Sequence, residues 1–363
     1  MEKLLVTGGA GFIGSCFIRH LLQHDQGVEV VNLDALTYAG SLENLHDLPD
    51  PDRHRFIQGD VCDRELVESV LRECQIDTVV HLAAETHVDR SISGPSPFIQ
   101  TNVVGTFSLL EACRRVWLEE GHFDSGQVRL LHVSTDEVFG SLGESDPPFR
   151  ETTPYAPNSP YAASKAASDH LVRAYARTYG LPAIISNCSN NYGPYQFPEK
   201  LIPLAILSAL EGIPIPIYGD GGQVRDWLFV ADHCEALEMV LRRGSVSQTY
   251  NIGGGNQPTN LEVVRQACAI MDETRPDSPW LPHRSLIRFV PDRPGHDRRY
   301  DMDTSKIHNE LGWRAGHTLA EGLRNTVAWY LSHPEWIAAI RNNPDYQAWI
   351  EANYVARGEA DQG

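Results

Sequence analysis

The sequence predicts an α/β fold, a doubly wound parallel sheet that carries a smaller, interwoven α+β lobe. Short apolar runs alternate with helical patterns through the first half of the 363-residue chain, which is typical of parallel strands covered by helices on both faces. A glycine-rich turn, Thr7 to Gly14, joins the first apolar run to the first helical pattern. Because dinucleotide-binding sheets begin in this way, we predict a Rossmann-type first lobe.

Six apolar runs supply the predicted strands of this lobe, and helical patterns separate them. The runs are Leu4–Val6, Val28–Leu33, Phe56–Ile57, Thr78–Leu82, Leu130–Val133 and Ala183–Ile185. After the glycine turn, Ile13, Phe17 and Leu21 recur at four-residue spacing, which predicts that a helix begins there. Farther on, residues 230–242 predict a helix, and residues 249–252 predict a strand that returns to the first lobe.

The composition of the chain changes after about residue 186. Glycine, proline and aromatic residues become dense over 190–226 and again over 277–299, which predicts loops and short helices. We therefore predict interwoven parts: a first lobe of residues 1–186 with returning segments at about 228–256, a second of 187–227 and 257–336, and a C-terminal helix and tail of unassigned role at 337–363. Three tryptophans near the end are interpreted as packing residues, namely Trp329, Trp336 and Trp349.

The composition also argues against several partners. A formal net charge of −18 leaves no extended basic surface for nucleic acid or an anionic membrane. No apolar run approaches the roughly 20 residues of a membrane span, and a strand begins soon after Met1 without a signal-peptide pattern, so the expected compartment is the cytoplasm. The seven cysteines are scattered and lack Cys-x-x-Cys spacing, so we predict free thiols and no metal site.

The glycine turn and a later carboxylate predict a dinucleotide site. Gly8 and Gly11 let the backbone approach a pyrophosphate, and the helix that follows Gly14 adds partial positive charge. Asp34 ends the second strand twenty residues beyond Gly14, where a carboxylate meets the adenosine ribose and disfavours a 2′-phosphate. The expected cofactor is therefore NAD. Asp60, after the third strand, is placed either to contact adenine or to cap a helix.

A tyrosine and a lysine at helical spacing suggest redox chemistry at a substrate hydroxyl. Tyr161 and Lys165 lie one turn apart at the start of a predicted helix, and the lysine charge would favour the phenolate. Thr135 follows a predicted strand and would bind the same substrate oxygen. Asp136 and Glu137 come directly after it, and an acid beside a base suits removal of water. Since adjacent strand residues point to opposite sides, a turn must bring both carboxylates to one substrate.

Several longer motifs together carry a family resemblance. The motifs are TGGAGFIG, LAAETHVDRSI, STDEVFG, YAASK, SNNYGPYQFPEKLIP, VRDWLFV and DRPGHDRRY, spread from about residue 3 to about residue 336. In these the chain resembles the nucleotide-sugar branch of the extended short-chain dehydrogenase/reductases, and within it the dTDP-glucose 4,6-dehydratases. The single motifs are shared with epimerases and decarboxylases, whereas the Asp-Glu pair and DRPGHDRRY are more selective.

The resemblance implies a role for each matching position. Catalytic roles fall to Thr135, Asp136, Glu137, Tyr161 and Lys165, with Asp136 as the acid and Glu137 as the base. The expected NAD contacts are Gly8, Gly11, Phe12, Ile13, Gly14, Asp34, Thr37, Asp60, Val61, Leu82, Ala83, Ala84, Thr101, Tyr161, Lys165 and Asn191. The expected nucleotide-sugar contacts are Thr86, Thr135, Asn190, Lys200, Leu201, Pro216, Tyr218, Arg225, Asn260, Asp292, Arg293 and His296.

The implied substrate is dTDP-glucose, converted to its 4-keto-6-deoxy form. Two other interpretations stay open at this point: another NAD-dependent nucleotide-sugar enzyme, such as a UDP-glucose 4,6-dehydratase, a 4-epimerase or a UDP-glucuronate decarboxylase, or a non-catalytic NAD-binding protein on the same fold. By the same resemblance, helices at about 98–116 and 161–178 are expected to pair two subunits into a homodimer.

Overall fold

The computed structural model describes residues 2–121, 123, 126–343 and 347. The strands within these residues are β1 Lys3–Thr7, β2 Glu29–Asp34, β3 His54–Gln58, β4 Thr78–His81, β5 Arg129–Thr135, β6 Ala183–Cys188, β7 Asn190–Tyr192, β8 Ile215–Tyr218, β9 Trp227–Phe229, β10 Thr249–Ile252 and β11 Ile287–Val290.

Helices alternate with these strands. The α-helices are α1 Phe12–His24, α2 Arg64–Glu73, α3 Val88–Ser93, α4 Ser96–Phe98, α5 Thr106–Cys113, α6 Pro160–Tyr179, α7 Leu201–Glu211, α8 Val230–Arg243, α9 Asn260–Thr274, α10 Ser305–Leu311, α11 Leu319–Ser332 and α12 Pro334–Arg341. Two π-helical segments, Ile99–Gly105 and Arg114–Glu119, make 96–119 one continuous helical stretch with α4 and α5. Short 3₁₀ turns lie at Leu42–Leu45, Pro51–Arg53, Asp136–Phe139 and His283–Leu286.

Seven strands form a parallel sheet in the order β10-β6-β5-β4-β1-β2-β3, which confirms the predicted fold class. The six predicted strands of the first half all lie in it, and the predicted returning strand, β10, pairs with β6. The chain leaves β1 toward β2 and β3 on one side and β4 on the other. A cleft at the carboxyl ends of the strands is expected at such a switch point.

The inner strands of the sheet are buried on both faces, whereas the edge strand β3 is only partly buried. In β1, Leu4 and Val6 pack with α1 and α8 residues such as Phe17 and Leu237, whereas Leu5 between them belongs to the opposite core layer with Trp117. This period of two explains why the run reads as continuously hydrophobic in the sequence. The sheet therefore provides a rigid base for loops at its carboxyl edge.

The second half of the chain adds a smaller core beside the sheet. Strand β8 pairs in parallel with β11, and β7 pairs in parallel with β9. Helices α7, α9 and α11 contribute to one apolar cluster that also includes Trp227 and Trp336. Trp336 donates a hydrogen bond to Asn44 Oδ1 at 2.8 Å and packs edge-on against Trp329, so both tryptophans are packing residues as predicted. Trp349 and the tail lie outside the described residues.

The described part of the chain carries no helix that is both long and apolar enough to cross a bilayer. Each of the seven cysteines is a free thiol, and four of them are buried.

Candidate active site

A cleft opens at the carboxyl ends of β1, β2, β4, β5 and β6. The structure brings together along its walls every residue that the sequence assigned to the cofactor: Gly8, Gly11, Phe12, Ile13, Gly14, Asp34, Thr37, Asp60, Val61, Leu82, Ala83, Ala84, Thr101, Tyr161, Lys165 and Asn191. Thr135, Asp136 and Glu137 line the same cleft, as do Thr86, Asn190 and Lys200 of the substrate set. Cofactor-type and sugar-type residues therefore share one continuous space.

The glycine turn is shaped by close backbone approaches. Gly8 has φ +74°, and a Cβ there would lie 2.6 Å from the backbone nitrogen of Ala83. At Gly14 a Cβ would lie 2.2 Å from the carbonyl oxygen of Gly8. Any side chain at either position would displace the turn from β4 or from α1. The turn thus presents bare backbone and a helix N-terminus to the cleft, which fits a diphosphate.

Asp34 anchors the opposite side of the turn. Its two carboxylate oxygens accept hydrogen bonds from the backbone nitrogens of Ala10 and Leu36, both at 2.8 Å. Burial raises the pKa of Asp34, and these two hydrogen bonds oppose the rise. Asp60 accepts from Cys62 N at 2.8 Å, whereas the N-cap of α2 is Asp63, so the helix-cap interpretation of Asp60 is wrong.

The two adjacent carboxylates sit on a 3₁₀ turn rather than on extended strand. Thr135 caps this turn, Asp136–Phe139, because its hydroxyl accepts a hydrogen bond from Glu137 N at 3.3 Å. The same hydroxyl donates to Asp136 Oδ1 at 3.2 Å. The turn therefore brings Thr135, Asp136 and Glu137 into one cleft, which extended backbone would not do.

The charges around Asp136 and Glu137 affect the pKa values of their two carboxyl groups differently. Burial raises the pKa of Asp136 well above its usual value, and the nearby Glu137 and Asp226 raise it further. Burial also raises the pKa of Glu137, but three cations oppose that rise: Arg293, Arg225 and Lys200. Asp136 is therefore the group more strongly held in its protonated form, and Glu137 is the group whose anion is better stabilised.

Tyr161 and Lys165 lie on the first turns of α6, buried at 7% and 4% exposure. Burial raises the pKa of Tyr161 well above 10, Glu137 raises it further, and the hydrogen bond with Thr135 opposes the rise. The ammonium of Lys165 donates to the carbonyl oxygen of Val133 at 2.9 Å, which fixes it against β5. Deprotonation of the tyrosine therefore depends on charges supplied within the cleft.

The outer part of the predicted substrate set lies beyond the cleft lining. Arg293 Nη1 and the Tyr218 hydroxyl both donate to Asp89, at 3.0 and 2.9 Å. Arg225 donates to the carbonyl oxygen of Asp297 at 2.9 Å and stacks on the ring of Tyr300. Asp292 accepts a hydrogen bond from the Gln223 side chain and is hydrogen-bonded to His296. The backbone nitrogen of Asn260 donates to the carbonyl oxygen of Gln223. Leu201 follows Lys200 at the start of α7, and Pro216 lies in β8.

The sequence did not indicate two acidic residues that form hydrogen bonds or ion pairs with arginines near the cleft. Asp89 joins Arg293 and Tyr218, and Glu199, at 3% exposure, lies 3.3 Å from Arg90 Nη2. Glu199 also lies 3.7 Å from His87 Nε2 and lines the cleft. Both acids lie inside quoted motifs, but their partners are more than 100 residues away, so no local pattern pointed to them.

The fold and this constellation define a class of enzyme: a Rossmann-type protein with the tyrosine and lysine of a short-chain dehydrogenase/reductase and an added acid–base pair. The family model described as GDP-mannose 4,6 dehydratase matches residues 5–326. A dTDP-glucose 4,6-dehydratase from Salmonella typhimurium is 53% identical over 98% of this chain and 99% of its own. One from Xanthomonas campestris pv. campestris is 57% identical over 94% and 96%.

Solved structures agree with these relatives. The crystal structure of a dTDP-glucose 4,6-dehydratase from Bacillus anthracis in complex with NAD has a TM-score of 0.83 and 45% identity, over 94% of this chain and 100% of that one. A UDP-glucose 4-epimerase from Thermus thermophilus, in complex with NAD, has a TM-score of 0.78 at 34% identity, over 91% and 99%. The chain belongs to the dTDP-glucose 4,6-dehydratase family of extended short-chain dehydrogenase/reductases.

Proposed function

We propose that this protein converts dTDP-glucose to dTDP-4-keto-6-deoxyglucose and water, with NAD as a resident cofactor. The glycine turn and Asp34 fit the diphosphate and the adenosine ribose of NAD, since the turn has no room for a Cβ and Asp34 is fixed by two backbone hydrogen bonds. When bound, NAD accepts a hydride from the sugar and later returns it. The relatives that are about half identical to this chain bear the name of this activity.

Oxidation at C4 makes the later steps possible, because the C5 proton becomes acidic only beside a carbonyl group. Tyr161 removes the proton of the C4 hydroxyl, and Thr135 binds the same oxygen. Lys165, held by Val133, supplies positive charge beneath the tyrosine. General-base assistance of this kind contributes on the order of 10² to 10⁴ in rate. The cleft that the three side chains share supports these assignments.

Elimination of water then uses the adjacent carboxyl groups. Glu137 removes the C5 proton, and Asp136 gives its proton to the C6 hydroxyl, which departs as water. Return of hydride to C6 is then completed by return of a proton to C5. The observation that carries this proposal is the asymmetry of charge: Arg293, Arg225 and Lys200 stabilise the Glu137 anion, while Glu137 and Asp226 oppose ionisation of Asp136 more strongly than Arg225 favours it. One carboxyl group is thus kept as an acid while its neighbour is available as a base.

The nucleotide diphosphate needs positive charge in an acidic chain. Arg293 and Arg225 face Glu137 from the second half of the chain, and Lys200 extends from the start of α7 into the cleft. We assign residues 187–227 and 257–336 to the nucleotide-sugar lobe and the sheet to the NAD lobe. Thymine differs from uracil by one methyl group, worth about 1 to 3 kcal/mol, so the preference for dTDP over UDP should be about 10- to 200-fold.

Product analysis tests the proposal directly. Incubation with dTDP-glucose, UDP-glucose, CDP-glucose and GDP-mannose should give a 4-keto-6-deoxy sugar most efficiently from dTDP-glucose, judged by kcat/KM. A C4 epimer without loss of water would replace the dehydratase by an epimerase. Absence of any product, with NAD bound, would favour a non-catalytic NAD-binding protein.

We further propose that the protein acts as a homodimer in the cytoplasm, without nucleic acid as a partner. The stretch 96–119 and α6 pack side by side, and Ile99 and Phe107 expose 49% and 44% of their surface there. An apolar pair on one helical face suits contact with the same face of a second copy. The free thiols suit a reducing compartment, and the net charge of −18 disfavours nucleic acid.

A further inference from the structure

A buried carboxylate lies directly behind the Tyr161 and Lys165 pair. Asp169 follows Lys165 by one turn of α6 and has no exposed surface. Its Oδ2 accepts hydrogen bonds from the Ser134 hydroxyl at 3.0 Å, from the Tyr155 hydroxyl at 2.7 Å and from Asn187 Nδ2 at 3.4 Å. Three donors therefore bind one carboxylate, and that carboxylate does not line the cleft.

Two of these donors are tied to the residue that binds the sugar oxygen. Ser134 precedes Thr135 on β5, and Asn187 Nδ2 also donates to the carbonyl oxygen of Thr135 at 3.1 Å. Lys165 donates to Val133, two residues before Thr135. Asp169 and Lys165 therefore lie on the same face of α6 and form hydrogen bonds with neighbouring residues of β5, Ser134 and Val133.

The charged and titratable groups near Lys165 come from four elements: His81 of β4, His132 of β5, Cys188 of β6, and Tyr161 and Asp169 of α6. Burial lowers the pKa of His132 to about 4 and raises the pKa of Cys188 to about 12, so both are neutral near pH 7. Burial also lowers the pKa of His81 and raises that of Tyr161. Within this group, Asp169 is the anion.

We propose that Asp169 is a positioning residue: its carboxylate, buried one helical turn from the Lys165 ammonium, is the counter-charge of that ammonium and orients Ser134 and Asn187 beside Thr135. Burial lowers the pKa of Lys165, and Asp169 opposes that change. The pKa of Asp169 is itself lowered, because the His132 ring 3.2 Å away, Lys165 and the Tyr155 hydroxyl outweigh the effect of burial. Removing one charge of such a pair leaves the other buried without compensation.

The inference rests on the proposed function only where it concerns the role of the Lys165 charge in catalysis. The protonation of Lys165 can be observed without turnover, because the whole chain contains four lysines: Lys3, Lys165, Lys200 and Lys306. In protein labelled with ¹³C at the lysine ε-carbon, the signal of Lys165 is assigned by its loss in Lys165→Met. Its titration is then followed in the wild type and in Asp169→Asn.

We expect the Lys165 titration in Asp169→Asn to move to lower pH by about one pH unit or more, a tenfold change in the protonation equilibrium. The Lys200 signal should titrate as in the wild type. The alkaline limb of the first hydride transfer, measured as reduced nicotinamide formed in a single turnover, should move to lower pH together with the Lys165 signal, which a purely structural role would not cause. An unchanged Lys165 titration in folded Asp169→Asn would overturn the proposal.

Matched variants separate charge from hydrogen bonding and from folding. Tyr155→Phe removes a donor but leaves the carboxylate, so the Lys165 titration should move much less. Glu111→Gln is the control, since Glu111 also accepts from a tyrosine hydroxyl, that of Tyr175 at 2.6 Å, and its other partners, Arg64 and Arg114, do not belong to this network. If Asp169→Asn does not fold, the double variant that combines Asp169→Asn with Lys165→Met should fold, because it lacks both charges. A double variant that is no more stable than Asp169→Asn would contradict the counter-ion role.

The two proposals fail in different ways. If Lys165 shifts as expected but dTDP-glucose is not dehydrated, the counter-ion role stands and the proposed function is wrong. If dTDP-glucose is dehydrated and the Lys165 titration does not depend on Asp169, the proposed function stands and this inference is wrong.

Discussion

Asp89 and Arg293 are separated by 204 residues in the chain and joined by a hydrogen bond of 3.0 Å between Asp89 Oδ1 and Arg293 Nη1. The other oxygen of Asp89 accepts from the Tyr218 hydroxyl at 2.9 Å. A residue of α3, which follows β4, thereby fixes two residues of the proposed nucleotide-sugar lobe. Arg293 is also one of the cations that stabilise the Glu137 anion, so its position matters to both binding and chemistry.

Asp89→Asn should therefore weaken substrate binding more than it weakens folding. A hydrogen bond to a charged group contributes about 1.5 to 3 kcal/mol, so we expect KM for dTDP-glucose to rise by about 10- to 100-fold. Steady-state kinetics checks this. The control is Asp220→Asn, which removes an exposed pair with Arg298. Equal KM values in the two variants would contradict the role assigned to Asp89.

Retention of the cofactor should depend on Asp34. We expect wild-type protein to be purified with NAD bound, because the hydride must return to the same sugar, and Asp34→Ala to lose most of it. Nucleotide released on denaturation is the measurement. Asp63→Ala, which removes the N-cap of α2, should cost about 1 kcal/mol of stability without releasing NAD. Activity that depends on freely exchanging NAD would exclude the internal redox cycle.

Asp226 should shape the pH dependence of the rate. Burial raises the pKa of Asp226 to about 7, and its anion raises the pKa of Asp136. Asp226→Asn removes that repulsion, so Asp136 should lose its proton at lower pH. The alkaline limb of kcat against pH is then expected to begin at lower pH than in the wild type. Movement of this limb toward higher pH would show that the acid is another group.

Ile99→Glu should convert the proposed dimer to a monomer, because it places a charge in the centre of the exposed apolar pair on 96–119. Light scattering after size exclusion measures the mass. Phe289→Glu is the matched control, since Phe289 is 57% exposed but lies on β11, away from that face. A wild-type protein that is already monomeric at micromolar concentration would contradict the homodimer.

Much of this architecture follows from local sequence, and the rest depends on contacts that no local pattern contains. Most strands of the main sheet contain a short apolar run, so these runs located them, and the glycine turn predicted its own backbone shape. The pairs β7 with β9 and β8 with β11 were not predicted, since their strands have three or four residues and lie far apart in the chain.

The same distinction applies to the site. Tyr161, Lys165, Asp136 and Glu137 lie in compact motifs, and the structure places them in one cleft. The 3₁₀ turn that aligns the two carboxyl groups was expected only as a geometric necessity. Asp89 and Asp169 were missed, because the importance of each depends on which residues fold against it.

Hydrogen should pass from C4 to C6 within one sugar, with Glu137 as the base for the intervening loss of water. The most direct measurement is therefore turnover of dTDP-glucose carrying deuterium at C4, followed by NMR of the product. We predict that the deuterium appears at C6, and that Glu137→Gln forms this product more slowly by on the order of 10² to 10⁴ while reduced nicotinamide accumulates. Deuterium that stays at C4 or is lost to solvent, or a Glu137→Gln variant as fast as the wild type, would contradict this mechanism.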